Sequence, residues 1–247
     1  MDSLPEQMLA MPFLGPIDTY SLYVTLFHPG IINTLRYFAD RYGLTREIQW
    51  YPHLTIFKYF WPRPLFSEEQ LLKTIATAAS PFDCLPIGID GLLRLREWSA
   101  ADQTIVYRVV PSVAFHRFYT SLSERLFHYS LFPPSLPLVQ ADTRSDLHPE
   151  EKMLHITIAW HLRREKADAI WEDLNGDASI DPIREEAAIL RVTLGKNNGE
   201  YAQYDFPRRF WLQGEAIYSE SEQEKTEESY RRIRRVRGFE SRPDLIR

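Results

Sequence analysis

The sequence predicts an α+β fold of two similar lobes, and three observations carry that prediction. A strand (LYVTLF, 22–27) leads through Pro29 into a helix and then into a strand carrying His53-Leu54-Thr55-Ile56. The same order recurs: a strand (IVYRVV, 105–110), Pro111, a helix, and a strand carrying His155-Ile156-Thr157-Ile158. Finally, 247 residues with 44% hydrophobic and 26% charged content can bury a sizeable core and exclude global disorder.

Each element follows from local pattern. Ser21 to Phe27 is rich in β-branched and aromatic residues and reads as a strand, punctuated by His28-Pro29-Gly30. Apolar residues at Ile31, Leu35, Phe38 and Tyr42 predict a helix that stops at Gly43. EIQWYPHLTIFKYF is strand-like and ends at Trp61-Pro62-Arg63-Pro64. Ser67 and Gln70 form a capping-box pair opening a helix to Ala79. Leu85 to Leu95 and Thr104 to Val110 read as a hairpin. Ser112 then caps a helix with Phe115, Phe118, Leu122 and Leu126 on one face.

The Pro-rich stretch FPPSLPLVQADTRSDLHPEEK, containing the 133–152 insertion, reads as a long surface loop. MLHITIAWHL is a strong strand, Lys166 to Leu174 a short helix, and Ala187 to Leu194 and Gln203 to Leu212 two closing strands. The resulting division is an N-terminal extension (1–19), a two-lobed domain (20–212) and a charged tail (213–247). The tail runs from acidic SESEQEKTEES into basic YRRIRRVRGFESR. Its low apolar content predicts a solvated helix or disorder.

Bulk properties narrow the function. A net charge of −5 argues against broad, non-specific nucleic-acid binding and leaves room for a local cleft that holds one phosphate. The single cysteine, Cys84, excludes an internal disulfide framework and a cysteine-rich zinc module. The opening MDSLPEQMLAMPFLGP has no basic segment leading an apolar run, and no apolar run reaches the roughly 18–20 residues that span a bilayer. The expectation is a soluble intracellular chain, cytoplasmic by default with the nucleus left open, and no membrane partner.

Residues i and i+2 of a strand share a face, so His53 projects with Thr55 and His155 with Thr157. If the two strands meet, two imidazoles and two hydroxyls converge. That set suits a phosphodiester. An imidazole titrating near neutrality accepts or donates a proton, and hydroxyls stabilise charge on non-bridging oxygens. The two units are nearly equivalent, so which histidine is acid and which is base stays open. Neither a metal site nor any cofactor is expected, and HExxH, GxSxG, Walker A and GxGxxG patterns are absent from the sequence.

PHLTIFKYF and LHITIAWHL, with histidines 102 residues apart (155 − 53), resemble the two His-x-Thr-x signatures of the two-histidine (2H) phosphoesterases. These include RNA ligase T-like and cyclic-phosphodiesterase enzymes. The likeness spans about Tyr20 to Leu212 and takes in the closing ILRVTLGKNNGEYAQYDFPRRFWL. It implies a bilobal, pseudo-symmetric fold with two antiparallel sheets lining a central cleft and helices outside. It further implies a metal-independent phosphoric diester hydrolase acting on a nucleotide or RNA end, at a 2′,3′-cyclic phosphate or a 2′-5′ linkage. His53 and His155 would be the acid/base pair, and Thr55 and Thr157 the phosphate binders. The Pro-rich insertion and the charged tail depart from the compact family pattern.

Tyr23 and Tyr107 take similar places in the two repeated strands and are candidates for lining the cleft, with core packing the competing reading. Phe57, Trp160, Tyr51 and Tyr59 are stacking candidates, and His161 is a candidate for the rim. Arg231, Arg232, Arg234, Arg235 and Arg237 form a basic cluster that would suit a phosphate or acidic partner. Two other functions compete: an idle nucleotide-binding module of the same fold, and an interaction protein working through its tail.

Overall fold

The computed structural model describes residues 18–26, 28–45, 52–63, 66–96, 102–129, 154–176 and 184–237. Tyr51, residues 97–101 and the 133–152 insertion lie outside them. Among the described residues the strands are β1 (Tyr20–Thr25), β2 (His53–Phe60), β3 (Leu85–Arg96), β4 (Asp102–Pro111), β5 (His155–Arg163), β6 (Arg184–Ile189), β7 (Arg191–Lys196), β8 (Gly199–Asp205) and β9 (Phe210–Gln213). The helices are α1 (Pro29–Tyr42), α2 (Glu68–Ala79), α3 (Val113–Tyr129), α4 (Arg164–Gly176) and α5 (Glu220–Arg237).

The strands form one antiparallel sheet in the order β6-β3-β4-β5-β2-β1-β7-β8-β9. Leu190 alone separates β6 from β7, yet these strands stand at the first and seventh positions. A sheet can satisfy both only by curling until those two strands approach end to end, helped by its natural twist. The sheet is narrowest in its pairing at the centre, where β2 and β5 share a single register pair, Leu54↔Ile156.

Helix ends follow the sequence signals. His28 caps α1, its Nδ1 accepting from the Ile31 N–H at 3.3 Å, and Gly43 ends the helix in the left-handed region at φ 60°. Ser67 and Gln70 close both arms of the capping box at α2, worth about 1 kcal/mol. The Ser112 hydroxyl accepts from the Phe115 N–H at α3. The expected apolar faces are buried: Ile31, Leu35 and Phe38 on α1, and Phe115, Phe118, Leu122 and Leu126 on α3. Each such side chain contributes roughly 1.5–3 kcal/mol of burial.

Two departures have clear causes. The expected strand Ala187–Leu194 breaks at Leu190, because the chain leaves β3 for β1 without any glycine or proline to mark the change. The expected strand Gln203–Leu212 breaks at 206–209, where Pro207 lacks a donor for the ladder and Arg209 sits at φ 58°. No helix among the described residues is long and apolar enough to cross a membrane.

Within the tail, the described residues 214–237 fold back on the sheet. Along α5 the inward stripe is Glu222, Thr226, Tyr230 and Ile233, with Tyr230 and Ile233 against Cys84, Ala188 and Leu190. Arg191, buried at the start of β7, donates to the Glu222 carbonyl at 2.6 Å and to the Thr226 hydroxyl. Polar groups therefore supply much of this docking, which explains how so polar a segment is held. Arg231, Arg232 and Arg235 face solvent.

Candidate functional site

The two signatures open β2 and β5, and the registers with their neighbouring strands β1 and β4 correspond pair for pair. β1 pairs with β2 at Tyr20↔Phe60, Leu22↔Phe57, Tyr23↔Thr55, Val24↔Leu54 and Thr25↔His53. Adding 83 to each β1 number and 102 to each β2 number gives Gln103↔Leu162, Ile105↔Ala159, Val106↔Thr157, Tyr107↔Ile156 and Arg108↔His155. All five are pairs of β4 with β5. The flanking bonds repeat as well: Leu26 N–H to the Pro52 carbonyl, and Val109 N–H to the Leu154 carbonyl, both 3.0 Å.

The match extends to irregularities. In each copy the residue after the threonine, Ile56 or Ile158, is an extra residue that flips the strand beyond it onto the other face. Such bulges re-aim side chains and are common beside active sites. Here they end the face on which histidine and threonine stand together.

The same shift of 102 carries Leu54 onto Ile156, its own partner, so an approximate two-fold axis runs through that pair. Counting antiparallel from it sets His53 opposite Thr157 and Thr55 opposite His155. Leu54 and Ile156 are buried below the sheet, and the four polar residues stand half-buried on the other face.

Two rows of side chains cross this face. One runs Asp205, Arg191, Thr25, His53, Thr157, Val106; the other runs Gln203, Thr193, Tyr23, Thr55, His155, Arg108. The Tyr23 ring lies 5.0 Å from that of His53, and its hydroxyl donates to Glu200 Oε1 at 3.2 Å. Burial, then the adjacent Glu200 carboxylate, push the Tyr23 phenol far above its usual range, so it stays a neutral donor. Gly195 makes room here: a Cβ on it would fall 2.5 Å from Ser21 Oγ and 3.4 Å from the Tyr23 ring.

Thr25 and Thr193 approach at 3.4 Å between hydroxyls. Next to Thr25, Arg191 is completely buried, 3.5 Å from Asp205 and 3.1 Å from Gln203 Oε1. Burial holds its guanidinium below the usual range, and the Asp205 carboxylate offsets that only in part. Arg208 in turn pairs with Asp205 at 2.8 Å and Glu222 at 2.7 Å.

Several expected cleft residues stand elsewhere. Tyr107 pairs with Ile156 and so points to the opposite face, where it is buried and donates to Thr34 Oγ1 at 3.1 Å. Aligning the repeats on their tyrosines slips the register by one residue; the counterpart of Tyr23 is Val106. Phe57 lies beyond the bulge, buried against Tyr119 with ring centroids 5.3 Å apart. Trp160 and His161 are exposed and their rings stack at 4.7 Å. Five residues along the strand, Trp160 lies roughly 16 Å from His155. The side chain of Tyr59 is outside the described residues.

Sequence reasoning missed Arg108, Thr25 and Thr193, which the register sets beside the signatures. The available signal was the repeat itself: with the correct offset, Thr25 and Arg108 are counterparts. Two surface depressions lie on α3 (Val113, His116, Thr120) and between α2 and α3 (Lys73, Thr77, Arg125). No strand residue lines either, so neither coincides with the histidine rows.

No protein-family model matches the chain, and no curated protein matches its sequence. Among solved structures it is similar to that of Usb1 from Kluyveromyces marxianus, with 8% identity and a TM-score of 0.41 over 76% of this chain and 97% of that one. It is similar also to the same protein with uridine monophosphate, with 11% identity and a TM-score of 0.43 over the same shares. What the site can do follows from this chain's own residues.

Proposed function

We propose that this chain is a two-histidine phosphodiesterase acting on a nucleotide or RNA terminus, at a 2′,3′-cyclic phosphate or a 2′-5′ linkage. The observation that supports this is the pairing of the two signatures across Leu54 and Ile156. On this reading two imidazoles and two hydroxyls share one face about a two-fold axis, an arrangement that suits in-line displacement at phosphorus. The same single pair supports reading the sheet as two, β6-β3-β4-β5 and β2-β1-β7-β8-β9, meeting at a central cleft.

In the reaction, one neutral imidazole accepts a proton from water or a ribose hydroxyl. That oxygen forms a bond to phosphorus, the opposite P–O ester bond breaks, and the leaving oxygen takes its proton from the other, charged imidazole. The Thr55 and Thr157 hydroxyls donate to the non-bridging oxygens and stabilise the charge that builds on them. After one turnover the two imidazoles have exchanged charge states, and solvent resets them.

The test is hydrolysis of 2′,3′-cyclic mononucleotides and of 2′-5′ oligoadenylate in the presence of EDTA. Turnover is expected, with loss of roughly 10²–10⁴-fold in His53→Ala and in His155→Ala. Full turnover in either variant, or activity abolished by the chelator, overturns the mechanism.

A further inference from the structure

Resting on that reading, we propose that Arg108 binds a second phosphate, so that the preferred substrate is a polynucleotide end rather than a mononucleotide. The two-fold axis sharpens this. At symmetry-related places next to the histidines stand Thr25, beside His53, and Arg108, beside His155. A symmetric pair of signatures thus sits in an asymmetric frame, with a cation on one flank and a neutral hydroxyl on the other.

Burial shows which flank a substrate can extend over. Thr25, Arg191, Thr193 and Gln203 are all buried, and Arg191 is engaged with Asp205, Gln203 and α5. Apart from half-buried Tyr23, the β1–β7 side is therefore closed. On the other side the Arg108 side chain is 54% exposed and neighbouring Val110 is exposed too. A chain continuing from the reacting phosphate leaves over β4.

Reach fits a flanking phosphate. The axis lies midway between β2 and β5, so the β4 backbone is one and a half strand spacings away, roughly 7 Å. A phosphate at the axis is served by Thr55 and Thr157, and the next one along an extended polynucleotide falls near the guanidinium. Asp90, on the bulge of β3, is the carboxylate facing Arg108, at 3.6 Å. That separation is longer than a bidentate contact, so the pair orients the guanidinium and leaves donors for a phosphate. Glu186 on β6 also stands exposed, two strands from Arg108. Its charge disfavours phosphate farther out, which limits the cationic subsite to the position next to His155.

The test compares uridine 2′,3′-cyclic phosphate with the same nucleotide bearing a 5′-phosphate, using the full chain. The wild type is expected to favour the doubly phosphorylated substrate about tenfold in kcat/KM, through KM, the scale of one charge-assisted hydrogen bond. In Arg108→Gln that ratio collapses towards one, and Arg108→Lys restores part of it. A ratio near one in the wild type, or a ratio unchanged in Arg108→Gln, overturns the assignment. If neither compound is turned over, the phosphodiesterase reading has failed. The Arg108 subsite is then still decided by binding, as the ratio of affinities for uridine 3′,5′-bisphosphate and uridine 3′-monophosphate in wild type and Arg108→Gln. A thermal midpoint within a few degrees of wild type checks that the exposed substitution left the fold intact.

Discussion

Leu54 of β2 and Ile156 of β5 are Cα partners, and each is the counterpart of the other in the internal repeat. Both are buried, so this strand contact between the halves is apolar while the residues on either side of it are polar. Truncating Leu54 loosens the packing under that pair and is expected to disturb the placement of the histidines beside it. Leu54→Ala is expected to cost about 2–5 kcal/mol, read as a lower urea midpoint. It should also reduce turnover of a cyclic nucleotide at temperatures where the variant is still folded. A destabilised variant with wild-type kcat would show that the junction does not set the site.

The histidines should behave as one unit. His53→Ala combined with His155→Ala is expected to be little worse than either alone, since proton removal and delivery belong to the same displacement. The pH profile of kcat/KM should be a bell, because one imidazole works neutral and the other charged. Additive losses would mean that the two groups act in separate steps.

The threonines are tested by a near-isosteric change. Thr55→Val and Thr157→Val keep shape and β-propensity and remove the hydroxyl. The expected loss in kcat is about 10–100-fold, with a thermal midpoint close to that of the wild type. A larger change in stability than in rate would assign these hydroxyls to the fold.

Arg191 anchors the C-terminal helix. Replacing it by alanine leaves Asp205 with Arg208 alone and removes the donors to the Glu222 carbonyl and Thr226. The cost should be about 3–5 kcal/mol, as for other broken buried charge pairs. Limited proteolysis should then cut within 214–237 before the rest. Arg231→Ala, an exposed pair with Glu227, should change stability by less than about 0.5 kcal/mol.

Acid stability should carry the signature of Glu68. Lys196, then the hydroxyls of Tyr201 and Tyr20, hold its carboxyl at about 2 against an ordinary 4.5. A depressed folded value stabilises the fold at pH values above the ordinary one, and that stabilisation is lost as pH falls from about 4.5 towards about 2. Its side chain is 36% exposed, so solvent screening keeps the contribution to about 1 kcal/mol or less. Glu68→Gln should therefore melt lower than wild type at neutral pH, and the gap should narrow towards about pH 3. A gap independent of pH would mean that packing, not charge, is what the substitution removes.

Much of the architecture was legible because its signals are local. Apolar spacing at Ile31, Leu35 and Phe38, the Ser67–Gln70 capping box and the Ser112 cap each act within a turn or two of helix. The recurrence of His-apolar-Thr-apolar was visible for the same reason, as was the shared face of each His–Thr pair. Side-chain direction beyond the threonines was not, since Ile56 and Ile158 look like ordinary strand residues. Only the partner strand reveals that each is extra. That is why Phe57 was expected in the cleft and is in the core. Tyr107 misled for a related reason: the tyrosines align by eye at an offset one residue from the true register.

By itself, then, the sequence determined the elements, the repeat and the four residues that share its signature, because period and capping are properties of neighbours along the chain. The tertiary structure alone decided that the signatures meet, with Leu54 paired to Ile156. It alone brought Arg108 beside His155 and drew the polar tail onto Arg191. Pairing register and burial depend on segments far apart in sequence, and no local pattern carries them.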